Sequence, residues 1–302
     1  MANQFTADMN RAEAEALSRK LAAMPGYAPT EREYALFAYE GEGVSIAYFA
    51  KRGKLVVQGK NADDLRPLLG APAAEAPAAE AGKAAEAPVG MVEPHFGVDE
   101  SGKGDYFGPL VVAGVYVDAQ SAPALRRLGC RDSKQIGSDA QIARIAAGIK
   151  TTPGVAWEVL CLGPHRYNEM YADMGNLNRL LAWGHARVIA SLHAKVPSCP
   201  RALCDQFANE WVLRRALGAR HLPVRLDQRP RAESDIAVAA ASVLARARFV
   251  EWLQQAAAAA GCALPPGCAP HVTKAARAFV RLHGADRLQD IAKLHFKITA
   301  QL

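Results

Sequence analysis

Two acids stand side by side at the end of an apolar run, Asp99 and Glu100 in the stretch GVDESGKGDYFGPL from Gly97 to Leu110, and a lysine between two glycines follows at Gly102-Lys103-Gly104. The first half fits G-x-x-x-x-G-K, but Gly104 stands where a phosphate-binding P-loop needs Ser or Thr for magnesium, and carboxylates inside such a loop would repel a triphosphate. The dinucleotide pattern G-x-G-x-x-G fails too, because Phe107 takes the place of its last glycine. Carboxylates gathered at one point suit hard divalent cations, and a lysine between glycines suits close approach to a phosphate backbone. Two-metal phosphodiester hydrolysis needs about four acids holding ions roughly 3.5–4 Å apart. Asp205, closing the apolar run ALCD, is the natural third, with capping of a helix begun at Gln206 as its plainer role. Glu233 or Asp235, in RAESD ahead of a long alanine-rich segment, offers the fourth, although either would also complement a positive helix N-terminus.

These acids need a frame. The pattern after residue 90 is mixed α/β: strands are expected at His95–Asp99, Pro109–Val117, Gly154–Cys161 and Ala202–Asp205, and helices at Gln141–Ile149, Asn176–Lys195 and Asp235–Ala260. Ligands of open α/β sheets collect beyond strand ends, where GVDE and ALCD finish. Residues 71–90, with ten Ala and three Pro, have no large apolar side chain to bury and read as a semi-extended linker. Ahead of it lies a domain at 1–70. Thr6–Met24 has helical composition, and Glu33–Tyr39, Val44–Ala50 and Lys54–Gly59 form an expected antiparallel meander. Alternation puts Val44, Ile46 and Tyr48 on one face, and Ser45, Ala47 and Phe49 on the other, where Lys51, Arg52 and Lys54 at the adjoining turn could meet phosphates.

The 302 residues suffice for about two domains, and half of them are apolar. The net charge of +6 is uneven: residues 1–70 are neutral, the linker is acidic, and 91–302 carry 26 Lys and Arg against 18 Asp and Glu. That favours a polyanionic partner. Charges throughout the first 20 residues exclude a signal peptide, and no window reaches 18 strongly apolar residues, so a cytoplasmic chain without membrane contact is expected. Six cysteines without a C-x-x-C pair argue against a disulfide framework. Cys262, Cys268 and His271 have faintly metal-like spacing, but reduced thiols are the plainer reading.

Taken together, DESGKGDYFGPL at 99–110, DSK at 132–134, NLNRLLAWGH at 176–185, CDQFAN at 204–209, AESDIAVAAASVLAR at 232–246 and AKLHF at 292–296 resemble bacterial ribonuclease HIII, in order and across nearly all of 95–297. The leading segment, with GKLVVQGK at 53–60, is similar to that family's extra domain, itself like half of the TATA-binding-protein saddle. The related ribonuclease HII usually has G-R-G at the Gly102-Lys103-Gly104 position and lacks the leading domain. The resemblance implies an α/β ribonuclease H-like fold at 91–302 and endonucleolytic cleavage of the RNA strand of an RNA/DNA hybrid with Mg²⁺ or Mn²⁺. It gives 5′-phosphate and 3′-hydroxyl ends and implies a monomer. By motif position the catalytic, metal-holding acids are Asp99, Glu100, Asp205 and Glu233, with Asp235, an unexpected acid two residues on, as the alternative fourth. Gly102, Lys103 and Gly104 would contact the RNA strand, and Ser133 and Lys134 neighbouring phosphates.

Asp105, Asn176, Asn178, His185 and His295 belong to the same motifs, and structural hydrogen bonding is expected of them because two-metal chemistry needs no histidine. Trp183 and Trp252 are expected in the core. Two rival functions remain: incision at single ribonucleotides in duplex DNA, in the manner of ribonuclease HII, and non-catalytic nucleic-acid binding. The paired acids argue against the second, since unneutralised carboxylates cost affinity for phosphate.

Overall fold

The computed structural model describes residues 3–24, 26–59, 61–62, 92–205, 210–218 and 222–302. The proposed linker at 71–90, Lys60 and the 206–209 part of CDQFAN lie outside them. The chain falls into two units that divide between residues 86 and 87.

In the first unit, strands β1 (Asn3–Asp8), β2 (Tyr27–Thr30), β3 (Phe37–Gly41), β4 (Val44–Phe49) and β5 (Lys54–Gly59) form one antiparallel sheet in the order β1-β5-β4-β3-β2. Helix α1 (Arg11–Ala22) packs on it. The expected helix over Thr6–Met24 is therefore shorter. Asn10 accepts from the Glu13 N–H at 2.9 Å while the Glu13 carboxylate accepts from the Asn10 N–H, a capping box that fixes the helix start and leaves Thr6 to a strand. Val44, Ile46 and Tyr48 bury against α1 as alternation requires.

The second unit holds a sheet ordered β10-β9-β6-β7-β8, from β6 (His95–Ser101), β7 (Leu110–Val117), β8 (Ala156–Leu162), β9 (Arg201–Asp205) and β10 (Arg225–Arg229). β7 runs antiparallel to both of its neighbours, β6 and β8, whereas β9 runs parallel to β6 and β10 parallel to β9. Its helices are α2 (Ala122–Arg127), α3 (Asp139–Thr151), α4 (Pro164–Met174), α5 (Leu177–Lys195), α6 (Glu210–Gly218), α7 (Ile236–Ala260) and α8 (Pro270–His283). The two long helices cover opposite faces. Val111, Ala113, Val115 and Val117 pack with α7 residues such as Ala237, Ala241 and Leu244, while Phe96, Val98 and Val112 pack with Ala186, Val188 and Ile189 of α5. Strand residues alternate between the faces with period two, which makes β6 the hinge of the site's geometry.

α7 is buried nearly all round in its first half, so its sequence shows almost no amphipathic stripe. Asp235 caps it, accepting from the Ala237 and Val238 N–H groups at 2.8 and 3.2 Å. Asn176 caps α5, accepting from the Asn178 and Arg179 N–H groups. Trp183 and Trp252 are half-buried against the apolar clusters, as expected of core residues. Among the described residues no helix is long and apolar enough to cross a membrane.

Candidate active site

Asp99 and Glu100 sit in the last turn of the pleat on β6, and adjacent strand residues point to opposite faces. Asp99 accordingly looks toward α7, where Ser242 hydrogen-bonds it, and Glu100 toward α5, where the fully buried His185 places Nε2 3.0 Å from Oε2. Both nevertheless line one cleft of about 600 Å³ with Asp205, which ends the neighbouring parallel strand β9. Its wall also includes Lys103, Gly104, Ser133, Lys134, Ser242 and Arg246, and two further acids, Asp105 and Asp139. A larger groove of about 760 Å³ between α3 and α7 is walled by alanines and Trp157 and brings no comparable set of acids together.

Electrostatics distinguish the paired acids. Burial and then the charge of Glu100 push Asp99 up to about 7, against the smaller opposing pull of its backbone and Ser242 hydrogen bonds and of Lys134. Burial would raise Glu100 as well, but the hydrogen bond and charge of His185, joined by Lys103 at 3.4 Å from Oε1, outweigh it and hold Glu100 below the usual carboxylate range. Two neighbouring carboxylates, one of which resists ionisation, form a centre short of positive charge. An all-oxygen donor set of this kind fits Mg²⁺ or Mn²⁺ better than a softer metal. Among the described residues no three acid, histidine or cysteine side chains close on one point.

The loop that follows is fixed by its own chemistry. Gly102 adopts φ +90°, and a Cβ there would collide with the Pro109 carbonyl oxygen, so glycine is required by conformation and by space. Gly104 is exposed with open space around it, leaving room for another backbone. Asp105 accepts from the Gly267 N–H at 2.6 Å, a loop tie as expected. Lys293, fully buried, donates to the carbonyls of Asp105 and Gly108 at 2.9 and 2.6 Å.

The remaining expectations divide. Lys134 is exposed at the cleft. Ser133 is buried and shares a 2.8 Å hydrogen bond with Ser242, so its hydroxyl is tied to α7 at the cleft wall. Glu233 lies on the one-turn 3-10 helix Ala232–Ser234, whose first N–H reaches Asp205 at 3.5 Å, but its side chain lines an adjoining pocket of about 450 Å³ with Arg126, Arg131, Arg231 and Gln135. Asp235 is engaged elsewhere, in the cap of α7 and with His95. The capping alternative for Asp205 involves Gln206, outside the described residues. Cys262 and Cys268 are free thiols that join no metal-like group among the described residues. His295 stacks on Tyr171 at 4.2 Å, and burial, then the charge of Lys293, lowers it to about 4. Sequence reasoning missed Ser242 and Arg246, although the alanine-rich helix carrying them was evident, and it missed the contact of His185 with an acid 85 residues away.

The family described as ribonuclease HII matches residues 96–299. Ribonuclease HIII of Protochlamydia amoebophila (strain UWE25) is 40% identical over 275 residues, spanning 90% of this chain and 88% of the relative, and that of Chlamydia abortus (strain DSM 27085 / S26/3) is 36% identical over 274 residues, with the same coverage. The crystal structure of Bst-RNase HIII in complex with Mn²⁺ superposes with a TM-score of 0.67 at 31% identity, covering 99% of this chain and 97% of the other. An acid cleft at the end of β6 and β9, a sheet covered by α5 and α7, and relatives similar across both units leave one conclusion: the chain belongs to the ribonuclease HII family and to its ribonuclease HIII members.

Proposed function

We propose that the chain is an endoribonuclease that hydrolyses the RNA strand of RNA/DNA hybrids, holding Mg²⁺ or Mn²⁺ with Asp99, Glu100, Asp205 and Glu233 and leaving 5′-phosphate and 3′-hydroxyl ends. The observation that carries the reading is the convergence of Asp99, Glu100 and Asp205 on one cleft rimmed by Lys103, Gly104 and Lys134. When bound, a pair of such ions lowers the pKa of an attacking water and stabilises the leaving oxygen. Lys103 and Lys134 offset phosphate charge at the rim, and the open space at Gly104 admits the sugar-phosphate backbone, where a 2′-hydroxyl distinguishes RNA from DNA. Glu233 joins the other three by turning from the arginine-lined pocket toward the neighbouring Asp205. Asp235 is left to hold α7.

The first unit is read as a hybrid-binding domain, through the sheet face away from α1 and the basic turn at Lys51 and Arg52. The enzyme is read as a cytoplasmic monomer. Extended similarity to proteins named ribonuclease HIII favours continuous hybrids over single embedded ribonucleotides. The test is cleavage of an end-labelled continuous RNA/DNA hybrid beside a DNA duplex with one ribonucleotide, each with Mg²⁺, Mn²⁺ or chelator. Metal-dependent cuts along the hybrid, with few or none at the lone ribonucleotide, are expected. Preferential incision at the lone ribonucleotide would transfer the activity to the ribonuclease HII type, and no cleavage with either metal would overturn the enzymatic reading.

A further inference from the structure

Glu100 is gripped at both oxygens, and the two grips differ in kind. Oε2 faces Nε2 of His185 at 3.0 Å, and His185 is fully buried in the middle of α5. Oε1 faces Nζ of Lys103 at 3.4 Å, on a side chain that is 41% exposed at the mouth of the cleft. An ionised carboxylate only accepts, so His185 donates through Nε2. That buried contact exists because α5 lies unusually close to the sheet: a Cβ on Gly114 of β7 would come 2.6 Å from Val188 Cγ1 and 2.7 Å from Leu192 Cδ1, and only glycine lets the helix settle there. With α5 seated, one carboxylate oxygen is held by a buried ring and the other faces the cleft, where the ammonium of Lys103 meets it.

From this arrangement we infer that His185 is a positioning residue for metal binding. By anchoring Oε2 of Glu100 it presents Oε1 to the cation, and Lys103 holds that oxygen until the cation replaces it. The inference rests on the proposed metal site. Hydrogen-bond partners behind ligating carboxylates typically contribute about 10–100-fold to metal affinity or activity. Lys103, displaced by the cation, then faces a substrate phosphate at the rim of the cleft.

The test is Mn²⁺ titration of the full chain without substrate, by calorimetry, together with hybrid-cleavage kinetics. H185M fills the buried space without a donor and H185Q fills it with one. H185M is expected to weaken Mn²⁺ binding about 10–100-fold and to lower kcat at sub-saturating metal with KM for the hybrid unchanged, while H185Q recovers most of both losses. In an E100A background, H185M is expected to change Mn²⁺ affinity no further, because the effect passes through Glu100. Wild-type Mn²⁺ affinity in H185M, or an undiminished H185M effect in E100A, would overturn the inference. Where H185M does not fold, H185N, too short to reach Oε2, takes its place with the same outcomes. Failure of the wild-type chain to bind Mn²⁺ would instead overturn the metal site itself.

Discussion

Asp235 accepts a hydrogen bond from the buried ring of His95, Oδ1 to Nε2 at 2.9 Å, on the oxygen that also receives two N–H groups of the first turn of α7. His95 opens β6 and Asp99 lies four residues on, facing the same helix. The pair therefore sets where α7 begins along β6 and, nearly two helix turns later, where Ser242 meets Asp99.

Glu233 and Asp235 should separate cleanly in experiment. E233Q is expected to lose turnover by at least about a hundredfold with an unchanged melting temperature, as befits a ligand. D235N is expected to cost about 3 kcal/mol by leaving the buried His95 without its carboxylate, lowering Tm by roughly 10 °C in a domain of this size. Burial alone would raise Asp235, but His95 and the two backbone donors outweigh it and hold it low. Its stabilisation is thus present above the ordinary carboxylate value of 3.8 and is lost as pH falls through the lowered folded value. Thermal melts of both variants, with kinetics, check the assignment, and a D235N protein with native Tm but no activity would reverse it.

D99N and D205N are expected to reduce kcat by at least about a hundredfold, several kcal/mol of barrier, while hybrid affinity stays within about threefold. Gel-shift titration beside cleavage assays measures both. Substantial metal-dependent turnover in either variant would remove the proposed mechanism.

Lys293 predicts an alkaline rise in stability. Burial lowers its pKa from 10.5 to about 7, with Asp105 pulling weakly the other way. Between those values the unfolded chain holds the proton and the folded chain does not, so stability climbs with pH across the interval, and the cost of the buried charge is fully felt below about 7. K293M keeps the packed stem and removes the titrating group, so the stability difference between wild type and K293M should shift in favour of wild type from pH of about 7 to about 10. Denaturant midpoints at several pH values check this, and parallel profiles would contradict it.

The turn after β4 predicts a binding effect without a chemical one. Lys51 and Arg52 are exposed and sit beside a sheet face that holds Ser45 and Phe49. Replacing both with alanine is expected to raise KM about three- to tenfold and to reduce the salt dependence of KM by roughly two phosphate contacts, with kcat unchanged. Initial rates over a salt series decide it.

Residues that bury predictably were legible from sequence. The strands ending in Asp99, Glu100 and Asp205 are apolar runs, and Asn176 and Asp235 announce the helices they cap, so the cleft's location followed from their order. The short β2 and the polar edge strand β10, RLDQR, carry almost no apolar signal because an edge strand keeps water on one side. Nor was β1 visible, since it shares helical composition with α1 and only the Asn10–Glu13 box separates them. Helices α2, α4, α6 and α8 were missed, although α2, α4 and α8 each carry a proline in the first turn, a start signal that short or polar segments leave easy to overlook. His185 was read as structural because a local pattern cannot show a partner 85 residues away on another element.

Asp99 and Glu100 leave the ribosome about a hundred residues before Asp205, and Ser242 follows later still. The parallel pairing of β6 with β9 can form only after that whole intervening chain exists and its ends have been brought together, a slow, non-local closure. A nascent or partly folded chain thus carries half of its acids with no cleft to serve. Nuclease competence arrives with the last long-range contacts, and the order of synthesis itself delays the chemistry until the molecule is whole.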